Sequence, residues 1–179
     1  MEFLAKGKRG VVYLDEIDGK KVVVKKARPE STAINRIENE ANWLKKLNKI
    51  GIGPKLISQG EGYFIAEFID GELFGKWIEK NKDKKVLLNI LKQCRKLDRL
   101  KVNKLEMHNP LKNIIIGKKV VLIDFERCKF THEPKNVTQF VQFLVKKKVI
   151  ERNDRLNEIL KKYKESYSER EFTKLLGLL

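Results

Sequence analysis

Val120-Val121-Leu122-Ile123-Asp124-Phe125-Glu126 is the stretch on which the fold turns. Four aliphatic residues in a row, three of them β-branched, predict a short buried strand, and a carboxylate stands where it ends. Gly117-Lys118 is a turn signal, and Asn113 to Ile116 on its other side reads as a partner strand, so the region is a small hairpin with Asn113 at its entry and Asp124 at its exit. Working outward, Val86 to Leu100 carries Leu87, Leu91, Cys94 and Leu97 at helical spacing, preceded by a short helix over Leu73 to Ile78. Leu105 to Asn113 reads as loop. The chain is predicted to be helical again beyond Asn136, where Asn136 with Gln139 and Ser168 with Glu171 fit capping spacings.

The N-terminal part has a different rhythm. Val11 to Leu14 and Lys21 to Lys25 flank Asp18-Gly19 as a β-hairpin. From Pro29 to Lys49 the period changes to three and four: Ser31 or Thr32 can cap a helix whose apolar face is Ile34, Ile37, Ala41, Leu44 and Leu47, with Gly51 stopping it. Leu56 to Ser58 and Tyr63 to Ile69 are strands around the turn Gln59-Gly60-Glu61-Gly62, and Asp70-Gly71 ends the sheet. The order is strands, helix, strands, then helices around a small hairpin.

Several chemistry-bearing groups fall in a defined order along this frame. Ala5-Lys6-Gly7-Lys8-Arg9-Gly10-Val11-Val12 is a glycine-containing turn between strands, where backbone N–H groups can approach anionic oxygens beside cationic side chains. Val22-Val23-Val24-Lys25 follows on the next strand, with Val23 and Lys25 on one face and Lys26 on the other. The helix after it offers Glu38 and Glu40. The order resembles that of the protein-kinase-like superfamily: a glycine-rich loop with Ala5 in the first glycine position, Val22 to Lys25 as V-A-I-K, Glu40 as its helix carboxylate, a hinge over Tyr63 to Phe74, Asn113 as the catalytic-loop Asn, and Asp124-Phe125-Glu126 as D-F-G with Glu in the Gly position.

The resemblance implies an α+β, two-lobed kinase-like fold: an N-lobe of antiparallel sheet and one helix over residues 1–70, and a reduced, mainly helical C-lobe over 71–179. It implies ATP and magnesium as cofactors. Gly7, Gly10, Val12, Lys25, Glu40, Glu67 and Ile69 would bind nucleotide, the last two through hinge backbone groups, with Leu56 as a further apolar wall. Asn113 and Asp124 would hold the metal.

Two departures matter. Counting five residues back from Asn113, where the family places its Asp, lands on His108, and Pro110 occupies the Asp position in the other register. The candidate catalytic set is therefore His108, Glu106 and Lys25: His108 as an acceptor-activating imidazole, or Glu106 reaching in from an altered loop. Beyond Glu126, about ten residues lead into the next helix, and no A-P-E sequence occurs. This truncation resembles the compact atypical kinases, the RIO family and the small kinase of the tRNA-modifying KEOPS complex. That likeness implies a serine/threonine kinase or ATPase acting on an unknown protein substrate. A pseudokinase adaptor, or an RNA- or ribosome-associated binding protein, is the alternative; a small-metabolite phosphotransferase usually keeps the Asp.

Composition bounds these readings. The 179 residues, 41% hydrophobic and 36% charged, can bury a core and are too apolar for a disordered polyelectrolyte. A net charge of +16 points to an anionic partner such as nucleotide phosphates, RNA or ribonucleoprotein, or an acidic protein, although the Lys146-Lys147-Lys148 run also reads as a solvated helix face. Cys94 and Cys128 have neither zinc-ligand spacing nor a disulfide framework, and no run reaches membrane-span length, which together predict a cytoplasmic protein with no membrane partner.

Overall fold

The computed structural model describes residues 1–7, 10–28 and 34–179. Lys8, Arg9, Pro29, Ser31 and Thr32, and the side chain of Ile34, lie outside the described residues, so the readings placed on them are left there. The fold is α+β, with a five-stranded antiparallel sheet and six α-helices among the described residues. The chain divides into two units, one comprising Met1–Gly71 with Val121–Arg127, the other Glu72–Val120 with Cys128–Leu179.

In the first unit, β1 (Glu2–Lys6), β2 (Gly10–Ile17), β3 (Lys20–Ala27), β4 (Leu56–Gly60) and β5 (Tyr63–Glu67) form one sheet in the order β1-β2-β3-β5-β4. The β2–β3 hairpin closes through Asp18 and Gly19 at φ 50° and 72°. Positive φ at both central residues gives a tight turn the twist the flanking strands need. The β4–β5 turn is tighter than its sequence suggests: Gln59 and Gly60 pair with Phe64 and Tyr63 and extend the strand, leaving Glu61-Gly62 as the connection.

Helix α1 (Ile34–Leu47) buries Ile37, Ala41, Leu44 and Leu47, each at most 1% exposed. Ile37, Leu44 and Leu47 each contribute about 1.5–3 kcal/mol by leaving water, and the Ala41 methyl less. A 3-10 turn over Asn48–Ile50 follows, and Gly51 ends it at φ 71°. The returning segment 121–127 inserts Phe125, fully buried, into this unit. Gly53 marks its seat, because at φ 81° a Cβ there would lie 2.8 Å from Leu44 and 3.0 Å from Phe125. A side chain at that position would evict the ring.

In the second unit, β6 (Gly71–Leu73) leads out of the first, and α2 (Phe74–Lys80) and α3 (Lys84–Arg99) follow. Next come β7 (Val102–Asn103), a 3-10 turn over Leu105–His108, β8 (Ile114–Gly117) and β9 (Val120–Leu122), the last crossing back into the first unit. β10 (Lys129–Phe130) pairs with β7, and α4 (Asn136–Lys146), α5 (Asp154–Ser166) and α6 (Glu169–Leu176) complete the chain. Phe74, Trp77, Phe140 and Phe143 stack with centroids 5.9–6.2 Å apart, tying α2 to α4.

Two capping readings separate here. Ser168 does cap α6, accepting from Glu171 N–H at 3.3 Å, but the Glu171 carboxylate turns to Lys174 at 2.7 Å. Asn136 does not act as a cap. It is fully buried, accepts from Lys104 N–H (2.8 Å) and donates through Nδ2 to Asp98 and to the Val102 carbonyl (both 2.7 Å). Asp98, 1% exposed, also accepts from Asn136 N–H (3.0 Å), Val137 N–H (3.3 Å) and the Tyr163 hydroxyl (2.8 Å), so one carboxylate joins α3, α4 and α5. A tertiary hub outbids the local cap because a buried carboxylate must be satisfied by whatever donors surround it.

Asp98→Ala should therefore lower unfolding free energy by about 3 kcal/mol, since it strands buried donors, while Tyr163→Phe should remove only about 1 kcal/mol. Urea denaturation of the two variants beside the parent reads both values, and equal losses would contradict the hub.

Candidate functional site

Cross-strand partners in an antiparallel sheet share a face. Lys25 is paired with Val12 and Phe64, and Val23 and Leu56 with Ala66, so Val12, Val23, Lys25, Leu56, Phe64 and Ala66 line one side of the sheet. Lys26 points the other way, its ammonium 5.8 Å from the centre of the Tyr13 ring. At the mouth of β2, a Cβ on Gly10 would lie 2.9 Å from the Lys26 carbonyl and 3.2 Å from Ile37. Only glycine lets the strand start so close to β3 and α1, and the Gly7 N–H closes the described part of the preceding loop on the Gly10 carbonyl at 2.9 Å.

From this face the Lys25 ammonium reaches Glu40 on α1 at 2.5 Å and Asp124 at 3.3 Å. Of the two helix carboxylates that the sequence offers, Glu40 is the one in contact. Its other oxygen accepts from the Phe125 N–H at 3.4 Å. Asp124 holds φ at 64°, the left-handed region that a non-glycine residue occupies at a free-energy cost of about 1–3 kcal/mol. That backbone turn aims its carboxylate back at Lys25.

The electrostatics follow from burial. Enclosure alone pushes the lysine towards its neutral form, but the charge of Glu40, then that of Asp124, the hydrogen bond to Glu40 and the charge of Glu126 overcome it and hold the ammonium above the ordinary lysine range. Lys25 is thus a fixed cation and cannot serve as a base at any physiological pH. Glu40, Asp124 and Glu126 supply the negative charge around it, Arg36 lies 3.9 Å from the Glu126 carboxylate, and Asp124 keeps 38% of its side chain exposed. The group suits a hard divalent cation. Magnesium is usually held by one or two carboxylates, with water and phosphate oxygens completing its shell, so a cluster of three or more protein ligands, absent among the described residues, is not needed.

One part of this region is not visible in the sequence. Arg36, Asn39 and Glu40, spaced as neighbours on one helix face, all hold the Asp124-Phe125-Glu126 turn: the Asn39 amide donates to the Glu126 carbonyl at 2.8 Å, and Arg36 lies 3.9 Å from the Glu126 carboxylate. The signal available was the i, i+3, i+4 spacing together with a Glu where the matching pattern has Gly. At the end of β5, the Glu67 N–H is committed to the Lys55 carbonyl at 2.9 Å, and the Glu67 carboxylate accepts from the Lys55 N–H at 3.4 Å. Ile69 follows in an irregular stretch and is half-buried.

In the second unit, Glu106, His108 and Asn113 lie along one loop. Glu106 pairs at 3.2 Å with the ammonium of Lys104, whose side chain is fully buried. A lysine in that position requires a carboxylate, so Glu106 has a structural task. His108 is exposed, with Nδ1 2.7 Å from the Leu105 carbonyl. A carbonyl can only accept, so Nδ1 carries the proton, and Nε2 presents its lone pair outward. Asn113 is 8% exposed and donates its N–H to the Pro110 carbonyl at 3.0 Å.

No protein-family model matches the chain, and no curated protein matches it. Among the described residues no helix is long and apolar enough to cross a membrane.

Lys25→Met should destabilise the fold by about 3 kcal/mol at neutral pH, because it leaves buried carboxylates without their cation. The pH dependence has a definite sign. A pKa raised on folding stabilises fully below the unfolded value of 10.5 and loses that contribution only as pH rises through the still higher folded value. The gap between parent and Lys25→Met should be flat from about pH 7 to 9 and close only in strong alkali, as measured by urea denaturation across pH.

Proposed function

We propose that the protein is a compact, two-lobed kinase-like protein that binds ATP with magnesium, an atypical RIO-like serine/threonine kinase or ATPase in which His108 replaces the usual aspartate base. The observation that carries the reading is the ion network of Lys25 with Glu40 and Asp124. A cation locked on a strand by a helix carboxylate, beside a second carboxylate that is 38% exposed, suits a triphosphate neutralised by a divalent ion. Residues of the first unit bind: the face with Val12 and Leu56 meets the base, the Glu67 carbonyl orients it, and Lys25 meets the phosphate oxygens. Asp124 would be the first unit's metal ligand, and the metal would supply charge neutralisation on the transferring phosphoryl group; Asn113 is the second ligand that the resemblance implies.

His108 is assigned the proton. Its outward Nε2 accepts from an acceptor hydroxyl, and the bond from Nδ1 to the Leu105 carbonyl fixes the tautomer. Glu106, engaged by Lys104, supports the loop. An adaptor that binds nucleotide without transferring phosphate is the second reading, favoured by the absence of a carboxylate at position 108. Cys94 and Cys128, buried and not joined in a disulfide, suit a reducing cytoplasm.

Calorimetry should detect magnesium-dependent ATP binding by about 1 mM nucleotide, and Lys25→Ala and Asp124→Ala should each weaken it by about tenfold or more. Absence of binding overturns the proposal. His108→Ala should lower turnover by about 100-fold with nucleotide affinity unchanged. Binding with no turnover in the parent selects the adaptor.

A further inference from the structure

Among the described residues, Asp18, Lys101, Asp124, Lys148 and Tyr167 are the non-glycine positions that hold a positive φ. All but one have a local cause. Asp18 sits in the β2–β3 hairpin turn, and Lys101, Lys148 and Tyr167 each follow the end of a helix, where a left-handed residue closes the last turn. Asp124 has neither. It stands beyond the end of β9 with no helix before it, and the chain turns only later, at Glu126-Arg127. A backbone state that its own neighbours in sequence do not require is kept by contacts from elsewhere in the fold.

Those contacts come from α1. The Asn39 amide donates to the Glu126 carbonyl at 2.8 Å, the Phe125 N–H donates to Glu40 at 3.4 Å, and Arg36 lies 3.9 Å from the Glu126 carboxylate, which is 12% exposed. The Asn39 bond is the shortest of them and grips the backbone itself. Being uncharged, it does so without competing for a cation. Glu126 works in the same direction: a glycine there would leave the turn free to take left-handed and right-handed states alike, whereas a residue with a β-carbon confines it.

We propose that Asn39 and Glu126 are positioning residues for Asp124, fastening the 124–126 turn to α1 so that the carboxylate is already set for a divalent cation. The inference rests on the nucleotide reading above and deepens it by assigning the metal affinity of the site to α1. Asn39 and Glu40 are consecutive, so one turn of helix registers both the Lys25 ammonium and the metal ligand beside it. Magnesium demands near-ideal octahedral geometry, so a small rotation of its carboxylate weakens it. Groups that orient a ligand without touching the metal commonly change its affinity about 10–100-fold.

The first test needs no nucleotide. In urea denaturation of the full-length protein, Asn39→Ala and Asp124→Asn should be coupled, because part of what Asn39 contributes is the placing of Asp124 against Lys25. The double variant should lose less of the folding equilibrium constant than the product of the single losses, by about threefold or more. A loss equal to that product overturns the inference. The second test is calorimetric titration with ATP in magnesium. Asn39→Ala should weaken binding about tenfold or more, and Leu47→Val, which trims α1 at its far end without touching the turn, should stay within about twofold of the parent. Circular dichroism establishes that each variant folds. Equal weakening in the two variants, or a drop of the same size when EDTA replaces magnesium, reduces Asn39 to a structural role and overturns the inference. The two failures are distinguishable: no magnesium-dependent ATP binding in the parent overturns the functional reading, whereas binding in the parent that Asn39→Ala leaves intact overturns the positioning role alone.

Discussion

An ammonium group removed from water must be surrounded by negative charge, and the first unit is arranged around that requirement at Lys25. The side chain is 17% exposed, too enclosed to stand alone, so α1 has to lie where Glu40 reaches it. That placement needs the apolar spacing from Ile37 to Leu47, which seats the helix in one rotation only. The same rotation brings Arg36 and Asn39 onto the Glu126 turn. The left-handed Asp124 is held by what grips the two residues after it: Phe125 buried against Gly53 and Leu44, and the Glu126 carbonyl on Asn39. Removing any one of these loosens the rest, since each contact fixes the position of a group that the next one uses.

Much of this was open to a reader of the chain, for a physical reason. The turn at Asp18-Gly19, the helix stop at Gly51 and the apolar steps of α1 and α3 depend on residues a few positions apart, and local sequence reports local backbone energy. That Lys25 meets Glu40 and Asp124 was readable from the order in which they occur, although the contacts span 15 and 99 positions. Where neither locality nor order helps, the reading fails. Asn136 stands where a cap would stand, yet its side chain is taken by Asp98, 38 positions earlier. β7 and β10 have two residues each and owe their existence to one another, so neither carries a pattern.

The second unit gives a related lesson about buried charge. Lys104 and Glu106 are two apart in a loop that reads as polar, and nothing in composition distinguishes them from surface residues. Their burial turns them into a mutual obligation. The consequence reaches His108. With Glu106 engaged by an enclosed ammonium, the imidazole is the group on this loop with an outward lone pair, and its orientation is set by a backbone carbonyl, which cannot itself titrate. The missing aspartate is then a substitution of one proton acceptor for another in the phosphotransfer reading.

Net charge says little until its parts are separated by environment. Lys25 and Lys104 are cations inside the fold, each bound to carboxylates, and they add nothing to the field outside. The exposed cations of α3 are the reverse case: Lys92 and Lys96 stand four apart with like charge, a cost of a few tenths of a kcal/mol to the helix, which is at least about tenfold less than burial of Leu87, Ile90, Leu91 and Leu97 on its other side returns.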